Sequence, residues 1–529
     1  MYKFKMTTSS IHTCFSDFPR DIEKPKIWTN EEYASYLNDY VDHFDIRNRI
    51  FLNRKVVKAT RKIDNEGSST LLKWHLTIST NGIDEEKVFD KLVIATGTNQ
   101  NRREVPFKNR NIFEGQIYHT KDYSSLQSTD VFEDKTIDDI SKANRNSFLC
   151  FNLTSNFFYS SQRWVRPFAS AVSFYVPQLP LILVVGMGEA GSDIAYNISK
   201  QAKKVYISLR NGSSGWCVPR ETETGQPRDL LTSKILWGIP RTYSSWVSNG
   251  LILRDVHSKN PLLKATGEYN KSVLAKSGHG LFSTPGTKSN TFIRAVVEND
   301  SELVPEILKI LPKNQVQLKD GRVINVDIIF EVTGFTRSLD FVQPEEFDQA
   351  LADSLEKVKD VRQLFLHCYD PEIGTDLFYA GLARPSFGSQ PPLGELQARL
   401  YLKWLRNPLA VPSKDTLAKC INSDTIDEEN QFLAWKHQRS LVDYIKYSRK
   451  IARHIGCYPG SFDNVLLMNT GVTAKNYLAW KIMLITCVFL YSVNFYRTTV
   501  FMVILLMLIL GNYRMYFKKF DGIFDSDTI

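Results

Sequence analysis

Three glycines in the middle of the sequence have the spacing of a turn that binds the phosphates of a dinucleotide. They follow the apolar run LILVV and open a helical segment. In such a turn the first glycine permits a tight bend, the second lets a pyrophosphate approach, and the third lets the helix pack closely. The helix N-terminus adds partial positive charge. The predicted phosphate contacts are Gly186, Gly188, Glu189, Ala190, Gly191, Ser192 and Asp193. The alternative is a glycine turn that binds nothing.

The strand after this helix indicates which nicotinamide cofactor the turn would take. The string KVYISLR lacks the acidic residue that would bind a free ribose 2′-hydroxyl, and it offers Ser208 and Arg210 as cofactor contacts instead. A guanidinium at this place suits a 2′-phosphate, because it donates paired, charge-assisted hydrogen bonds to phosphate oxygens. The sequence therefore favours NADPH over NADH. In the alternative interpretation Arg210 is a solvated loop residue.

Parallel strands are needed to hold such a site, and the sequence contains several further apolar runs that end in glycine. They are KLVIATG, which includes Thr96 and Gly97, IIFEVTG and LFYAG. Such runs predict buried strands, and their glycine tips predict ligands at the carboxyl ends of a doubly wound sheet. Near the N-terminus, apolar residues from Tyr33 to Phe44 recur at helical spacing, and Asn30 is predicted to cap that helix.

A second motif has the form F-x-G-x-x-x-H-x-x-x-Y and consists of Phe113, Gly115, His119 and Tyr123. Together with CFSDFP, LVIATG, EVTGF, ARPSFGSQPPLGELQAR and YIKYSRKIARHIGCYP, it resembles the flavin-containing monooxygenase family. The similar Baeyer–Villiger monooxygenase pattern has tryptophan at the last position, so Tyr123 separates the two groups. The resemblance implies that His119 is a linker that organises the domains and not a proton donor.

The resemblance covers most of the chain and implies an α/β fold with two Rossmann-like dinucleotide-binding domains. The FAD-binding domain would take residues 1–136 and 325–460, and the NADPH-binding domain would be inserted at 182–324. Residues 137–181 interrupt the family pattern and are expected to be an insertion. A translated intron or a lineage-specific loop would explain it, and an ordinary surface excursion is the alternative.

The resemblance also implies the chemistry. In the family NADPH reduces FAD, O2 adds to flavin C4a, and the hydroperoxide oxygenates a soft nucleophile such as an amine or a sulfur compound. Thr96 and Gly97 would then contact FAD. Thr7 stands where many animal members have an asparagine at the reacting face of the flavin, and Thr8, which lies beside it, is expected to contact the cofactor. Thr7 is therefore the expected catalytic residue.

The sequence departs from the family pattern at the FAD site. The family's first G-x-G-x-x-G, which binds FAD, has no counterpart, so the FAD-binding domain is expected to be incomplete through a truncated gene or through loss of the site. Glu189 and Ala190 also replace a common Asn-Ser pair, and a carboxylate near a phosphate is mildly unfavourable. Two alternatives remain open: an inactive NADPH-binding membrane protein, and a Baeyer–Villiger or N-hydroxylating relative.

Composition limits the other partners. The net charge of +9 is spread without a long basic run, which indicates mild attraction to anionic cofactors or a membrane surface and not nucleic-acid binding. The seven cysteines form no CxxC pair, which excludes a zinc ribbon and a dithiol redox centre. No signal peptide is expected at the start. An oligomer is compatible with the sequence.

The C-terminal region 477–517 is predicted to associate with a membrane. It contains two apolar blocks, 482–496 and 498–511, which are separated by Arg497. Each block is shorter than the ~20 residues of a membrane helix. Together they predict either one tilted helix or a hairpin with Arg497 near an interface. The alternative is a pair of buried core helices. The expected location is the endoplasmic reticulum membrane, with the catalytic domains on the cytoplasmic side.

Overall fold

The structure, a computed structural model, describes residues 4–21, 23–66, 69–123, 179–210, 215–231, 255–277, 286–386, 388–432 and 438–458. Residue contacts divide the chain into two compact units. Unit 1 contains the described residues of 102–214 and 291–334. Unit 2 contains the described residues of 3–101, 215–290 and 335–529.

Both units contain strands and helices. The strands are β1 (Lys5–Ser9), β2 (Ile27–Thr29), β3 (Lys55–Glu66), β4 (Ser69–Thr80), β5 (Ile83–Phe89), β6 (Leu92–Ile94), β7 (Asn101–Arg102), β8 (Gln116–His119), β9 (Leu181–Val185), β10 (Lys204–Ser208), β11 (Glu302–Val304), β12 (Ile307–Leu311), β13 (Gln315–Leu318), β14 (Val323–Asn325), β15 (Ile328–Glu331), β16 (Phe335–Thr336), β17 (Leu377–Tyr379), β18 (Arg384–Pro385) and β19 (Leu441–Val442). The α-helices are α1 (Ser10–Thr13), α2 (Asn30–His43), α3 (Glu189–Ser199), α4 (Pro261–Ser277), α5 (Thr291–Glu298), α6 (Gln349–Lys357), α7 (Gln390–Arg406), α8 (Lys414–Gln431) and α9 (Tyr444–Ile455).

A five-stranded sheet in the order β11-β10-β9-β15-β8 forms the centre of unit 1, and every neighbouring pair is parallel. The strand β9, the helix α3 and the strand β10 form the predicted βαβ unit. The middle of β9, Ile182 to Val184, is fully buried, as is typical of a parallel strand covered on both faces. The antiparallel strands β12, β13 and β14 pack against the sheet through Ile310, Val316 and Leu318.

Unit 2 contains the three-stranded antiparallel sheet β3-β4-β5 and the parallel pair β17-β6. These strands share one core around the fully buried Trp74. A second core contains Trp404 of α7 and Ile451 of α9. The run KLVIATG, expected to be a buried strand, is buried only in part, because Val93 of β6 is 45% exposed while Ile94 is buried. Among the described strands β6 pairs only with β17.

The first long helix, α2, begins as the apolar pattern predicts, but its cap differs. The capping residue is Thr29 and not Asn30, which is the first residue of the helix. The Thr29 hydroxyl accepts the Glu32 backbone N–H at 3.2 Å, and the Glu32 carboxylate accepts the Thr29 N–H at 2.8 Å. This reciprocal pair satisfies two backbone donors at once, which a lone Asn30 would not do.

The two units do not coincide with the domain bounds expected from the sequence. Residues 102–123 cluster with unit 1, and residues 215–290 cluster with unit 2. The first difference arises because β8 pairs with β15 in the sheet of unit 1, a pairing between strands far apart in the sequence. The expected insertion 137–181 lies outside the described residues up to position 178. The functional division into FAD- and NADPH-binding domains stays a prediction.

The predicted membrane segment 477–517 lies outside the described residues. Within the part of the chain that the structure describes, no helix combines the length and the apolar character that a membrane span requires.

Candidate functional site

The glycine turn between β9 and α3 has the geometry that its sequence predicts. Gly186 has a φ of +100°, and a Cβ there would lie 2.9 Å from the Val332 carbonyl carbon. A Cβ on Gly191 would lie 2.5 Å from the Gly186 carbonyl oxygen. By contrast, a Cβ on Gly188 would meet no atom within 4 Å. The first and third glycines are therefore needed for the turn and the packing, and the second leaves the backbone open to a ligand.

The first turn of α3 divides the predicted phosphate contacts into two groups. Gly188 is exposed and caps the helix, and Glu189 and Ala190 are half-buried beside it. Ser192 and Asp193 are instead fully buried. Phosphate contacts from the exposed side of this turn can use backbone N–H groups, which are unsatisfied at a helix start.

The side chains of Ser192 and Asp193 bind helix α5. The Ser192 hydroxyl accepts the Phe292 backbone N–H at 3.0 Å. The Thr291 hydroxyl donates to the Asp193 carboxylate at 3.0 Å. The sequence did not predict these contacts, because both residues were expected to bind the phosphates of the cofactor. Their side chains anchor α5 within unit 1, and the Ser192 backbone N–H already donates to the Gly188 carbonyl oxygen at 2.9 Å.

The two predicted ribose contacts lie at the end of β10 and just after it. The Ser208 hydroxyl is buried and donates to the Pro305 carbonyl oxygen at 3.1 Å. Arg210 is exposed two residues later, and its guanidinium has no hydrogen bond or ion pair with any residue in the described ranges. Of the two predicted ribose contacts, Arg210 is thus the one whose side chain is available to a 2′-phosphate.

The motif F-x-G-x-x-x-H-x-x-x-Y holds β8 in the sheet of unit 1. A Cβ on Gly115 would lie 2.7 Å from the Phe113 ring, so this position requires glycine. The His119 Nδ1 accepts the Lys121 N–H at 3.1 Å, which leaves Nε2 to donate to the Gly334 carbonyl oxygen at 3.0 Å. Both ring nitrogens are therefore occupied in a buried position, and both partners lie within unit 1. The expected role of His119 as a linker between domains stays a prediction.

Two further residues secure this region. Tyr123 accepts a hydrogen bond from the Asn197 side chain of α3 at 3.2 Å. Glu331, at the end of β15, is 2% exposed and forms an ion pair with Arg110. Sequence analysis missed this pair. A carboxylate inside the apolar run IIFEV was the available signal, because a buried charge requires a partner.

In unit 2 the tips of two parallel strands lie side by side, since β6 pairs with β17 in parallel register. Thr96 and Gly97 follow β6, and Gly97 has a φ of +73°. The Thr96 hydroxyl accepts a hydrogen bond from Gln100 at 2.6 Å. Gly381 follows β17 and donates its N–H to Gln397 at 2.8 Å. The T-G and A-G strings therefore meet at one sheet edge, where open α/β sheets bind ligands.

Thr7 and Thr8 lie on an irregular stretch of β1. Lys5 is opposite Thr29 and Ser9 is opposite Ile27. Four residues of advance along β1 therefore correspond to only two along β2, so β1 contains extra residues at this place. The buried Thr8 hydroxyl lies 2.9 Å from the Thr13 hydroxyl. The Thr7 hydroxyl has no hydrogen-bond partner among the residues that the structure describes. An irregularity in a strand changes the direction in which its side chains point. In this stretch the Thr7 hydroxyl is the one that remains available to a ligand.

The structure also brings together two of the strings quoted above, CFSDFP and ARPSFGSQPPLGELQAR, within unit 2. The Ser16 backbone N–H donates to Glu395 at 2.9 Å, and Arg399 donates to the Ser16 hydroxyl at 2.6 Å. Tyr36 of α2 accepts the Phe15 N–H at 2.8 Å and donates to the Phe18 carbonyl oxygen at 3.0 Å. Burial raises the pKa of Tyr36, which keeps the phenol protonated as a donor.

A family model described as flavin-binding monooxygenase-like matches residues 1–160 and 176–493. The chain belongs to this family. It is accordingly a flavin-dependent monooxygenase, and the family's cofactors are the expected FAD and NADPH. The resemblance inferred from the F-x-G-x-x-x-H-x-x-x-Y motif and the strings quoted with it is confirmed.

Curated relatives of this flavin-binding monooxygenase-like chain catalyse different reactions. A 4-hydroxybenzoate brominase (decarboxylating) of Marinomonas mediterranea is 26% identical over 463 residues, which cover 86% of this chain and 75% of the relative. Human flavin-containing monooxygenase 1 is 24% identical over 475 residues, which cover 86% of this chain and 73% of the human protein. Mouse dimethylaniline monooxygenase [N-oxide-forming] 2 is 26% identical over 463 residues, covering 85% and 72%.

Solved structures show that the fold is shared with other flavin-binding monooxygenase-like proteins. The S-allyl-L-cysteine S-oxygenase of Allium sativum superposes with a TM-score of 0.51 at 13% identity, covering 88% of this chain and 77% of that one. OTEMO in complex with FAD and NADP superposes with a TM-score of 0.52 at 15% identity, and the match covers 85% of this chain and 89% of OTEMO. The chain therefore has a Rossmann-type α/β fold.

The residues of this flavin-binding monooxygenase-like chain fit a dinucleotide at the turn of unit 1. Gly188 is open and exposed, the first two residues of α3 are half-buried, and Arg210 is unpaired among the described residues. For the flavin, the described residues offer the strand tips at Thr96, Gly97 and Gly381. A second G-x-G-x-x-G is absent from the sequence.

A buried charged cluster beside β1 was also missed by the sequence analysis. Asp229 accepts the Ser9 backbone N–H at 2.6 Å, although 220 residues separate the two in the chain. The Lys288 ammonium donates to the Gly388 carbonyl oxygen at 3.0 Å. Burial lowers the pKa of His12, outweighing the opposing attraction of Asp229. No local pattern reveals a cluster whose members come from three distant segments.

Proposed function

We propose that the chain transfers one oxygen atom from O2 to a soft nucleophile, an amine nitrogen or a sulfur, with electrons from NADPH that pass through FAD. The observation that carries the proposal is the glycine turn with a free Arg210 on a flavin-binding monooxygenase-like scaffold. Relatives that form N-oxides support the amine class. Tyr123, where the Baeyer–Villiger pattern has tryptophan, argues for nitrogen or sulfur instead of ketone oxygenation.

Unit 1 has the binding role in this proposal. The backbone N–H groups at Gly188, Glu189 and Ala190 hold the pyrophosphate, aided by the partial positive charge at the start of α3. Arg210 donates hydrogen bonds to the 2′-phosphate, which selects NADPH over NADH. The buried Ser192 and Asp193 fix the neighbouring helix α5 and thereby keep the start of α3 rigid.

Unit 2 has the oxygenation role. FAD, when bound, supplies the activation of O2 and its transfer to the substrate. Thr96 and Gly97, at the tip of β6, contact the flavin. The Thr7 hydroxyl donates a hydrogen bond at the reacting face, and Thr8 holds that part of β1 in place through Thr13.

We also propose the division into an FAD-binding domain at 1–136 and 325–460 and an NADPH-binding domain at 182–324. Residues 477–517 attach the protein to the endoplasmic reticulum membrane in this proposal, because their apolar blocks are long enough together to enter a bilayer. Alkaline extraction of membranes from expressing cells tests the attachment. Full-length protein should stay in the pellet, and a chain that ends at residue 458 should move to the supernatant.

The activity is tested on full-length protein in detergent, with NADPH, FAD and isotopically labelled ¹⁸O2. N,N-dimethylaniline and thioanisole serve as the amine and the sulfide, and mass spectrometry follows their N-oxide and sulfoxide. We expect a product that carries one ¹⁸O atom and depends on NADPH. A protein that binds NADPH but forms neither labelled product would contradict the proposal and support the inactive, NADPH-binding alternative.

Bromination is the second candidate, since a brominase is among the relatives with 86% coverage of this chain. The same assay is therefore repeated with 4-hydroxybenzoate and bromide. A brominated, decarboxylated product in the absence of N-oxide and sulfoxide would favour this candidate. A lactone formed from cyclohexanone would instead favour the Baeyer–Villiger alternative.

A further inference from the structure

One carboxylate from a distant segment holds the irregular stretch of β1. Ser9 is fully buried at the end of that stretch, and its backbone N–H donates to the Asp229 carboxylate at 2.6 Å. A buried backbone N–H needs an acceptor, and in an irregular strand the neighbouring strand does not supply one at every position. The Asp229 carboxylate is the acceptor for the Ser9 N–H, and Ser9 lies two residues after Thr7.

The segment that carries Asp229 is itself fixed within unit 2. The Asn270 side chain of α4 accepts the Cys217 N–H at 2.8 Å and donates to the Cys217 carbonyl oxygen at 2.9 Å. The Val218 backbone N–H donates to the Thr287 carbonyl oxygen at 3.0 Å, and the Thr287 N–H donates to the Trp216 carbonyl oxygen at 2.8 Å. The Arg228 N–H donates to the Arg220 carbonyl oxygen at 2.8 Å, which closes the loop that leads to Asp229. The carboxylate therefore approaches β1 from a rigid support.

The Asp229 carboxylate lies near other ionisable groups. Asp229 and Lys288 are each 8% exposed, and both act electrostatically on His12 at the beginning of unit 2. A buried carboxylate is retained where hydrogen bonds and cations compensate its desolvation. The hydrogen bond from the Ser9 N–H provides part of that compensation for Asp229. A second tie between the same two segments, from Lys5 to Glu221 at 3.0 Å, is largely exposed and contributes little.

We propose that Asp229 is a positioning residue for oxygenation: by accepting the Ser9 N–H, it fixes the irregular stretch of β1 that presents the Thr7 hydroxyl. This inference rests on the proposed role of Thr7 at the reacting face. Without the acceptor, a buried N–H is left unsatisfied, and β1 relaxes towards arrangements in which Ser9 reaches water or another acceptor. The Thr7 hydroxyl then leaves its place, and NADPH electrons are released as hydrogen peroxide instead of oxygenating the substrate.

The test compares three variants of the full-length, FAD-loaded protein. Asp229→Ala removes the acceptor, and Asp229→Asn keeps an oxygen that can accept the Ser9 N–H. Glu221→Gln is the matched control, because it breaks the exposed tie between the same two segments. Amide hydrogen exchange of residues 4–14 reports on β1 independently of activity. The ratio of hydrogen peroxide formed to NADPH oxidised reports on coupling.

For Asp229→Ala we expect exchange in residues 4–14 to rise by about tenfold or more, since a hydrogen bond to a charged group is lost. We expect hydrogen peroxide release to rise at least several-fold, with an unchanged KM for NADPH. Asp229→Asn should recover most of both properties, and Glu221→Gln should match the wild type. Exchange that rises throughout unit 2 would show a merely structural role and overturn the inference, as would an Asn variant as impaired as the Ala variant.

The two proposals fail in different ways. If the wild-type protein forms no labelled product, the proposed function is wrong and the positioning role falls with it. If the wild type oxygenates its substrate and Asp229→Ala remains equally coupled, only the positioning role of Asp229 is overturned.

Discussion

Replacement of Arg210 by glutamine tests the nucleotide site most directly. The side chain is exposed and unpaired among the described residues, so its loss removes no contact within unit 1. A hydrogen bond to a charged group contributes about 1.5–3 kcal/mol, and solvent screening of an exposed pair favours the lower end. Since ~1.4 kcal/mol corresponds to a tenfold change in Kd, Arg210→Gln should weaken NADPH binding about tenfold. NADH lacks the 2′-phosphate, so its Kd should not change.

The assay is calorimetric titration of wild type and variant with NADPH and with NADH, at low and at high ionic strength. The difference between the two proteins should shrink at high ionic strength, because salt screens an exposed guanidinium and a phosphate. Arg322→Gln is the control, since this exposed guanidinium of unit 1 is already paired with Glu302 and Asp320. Equal weakening of NADPH and NADH, or no weakening of NADPH, would refute the assignment of Arg210.

Three further results follow from the same contacts. Gly191→Ala puts a methyl 2.5 Å from a carbonyl oxygen, so the free energy of unfolding in urea should fall by about 1–3 kcal/mol. The methyl group added by Gly188→Ala would lie near no other atom, so this variant should keep the urea midpoint of the wild type. It should weaken NADPH binding in titration. A loss of stability equal to that of Gly191→Ala would contradict this prediction. Burial lowers the pKa of His454 to about 4, so the unfolded chain binds more protons between pH ~6.5 and ~4. The free energy of unfolding should therefore decrease as the pH is lowered from ~6.5 to ~4. The decrease should be less steep in His454→Gln, which lacks this titrating group.

Local sequence patterns were sufficient for the parts of the site that lie within one supersecondary unit. The roles of Gly186, Gly188 and Gly191 follow from their spacing after an apolar run, and each has the geometry expected of it. The start of α2 was also predicted, although the capping residue was misplaced by one position. Spacing determines such features because the contacts join residues only a few positions apart.

Features made by distant segments could not be predicted in this way. Side-chain types alone do not show that Ser192 and Asp193 bind α5, because their partners lie about a hundred residues further along the chain. The hydrogen bond from Ser9 to Asp229 and the ion pair of Arg110 with Glu331 have the same origin. Each depends on a tertiary arrangement that gives no local periodicity.

The strand order of unit 1 has a consequence for synthesis on the ribosome. β15 lies between β9 and β8, yet it begins at Ile328, long after β9 ends at Val185. At ~5–20 residues per second, β8 and β9 leave the ribosome on the order of ten seconds before the strand that joins them. The nascent chain therefore exposes two unpaired apolar strand edges throughout that interval. Chaperone contact and slow translation are expected to affect the yield of folded enzyme most strongly over this stretch of the message.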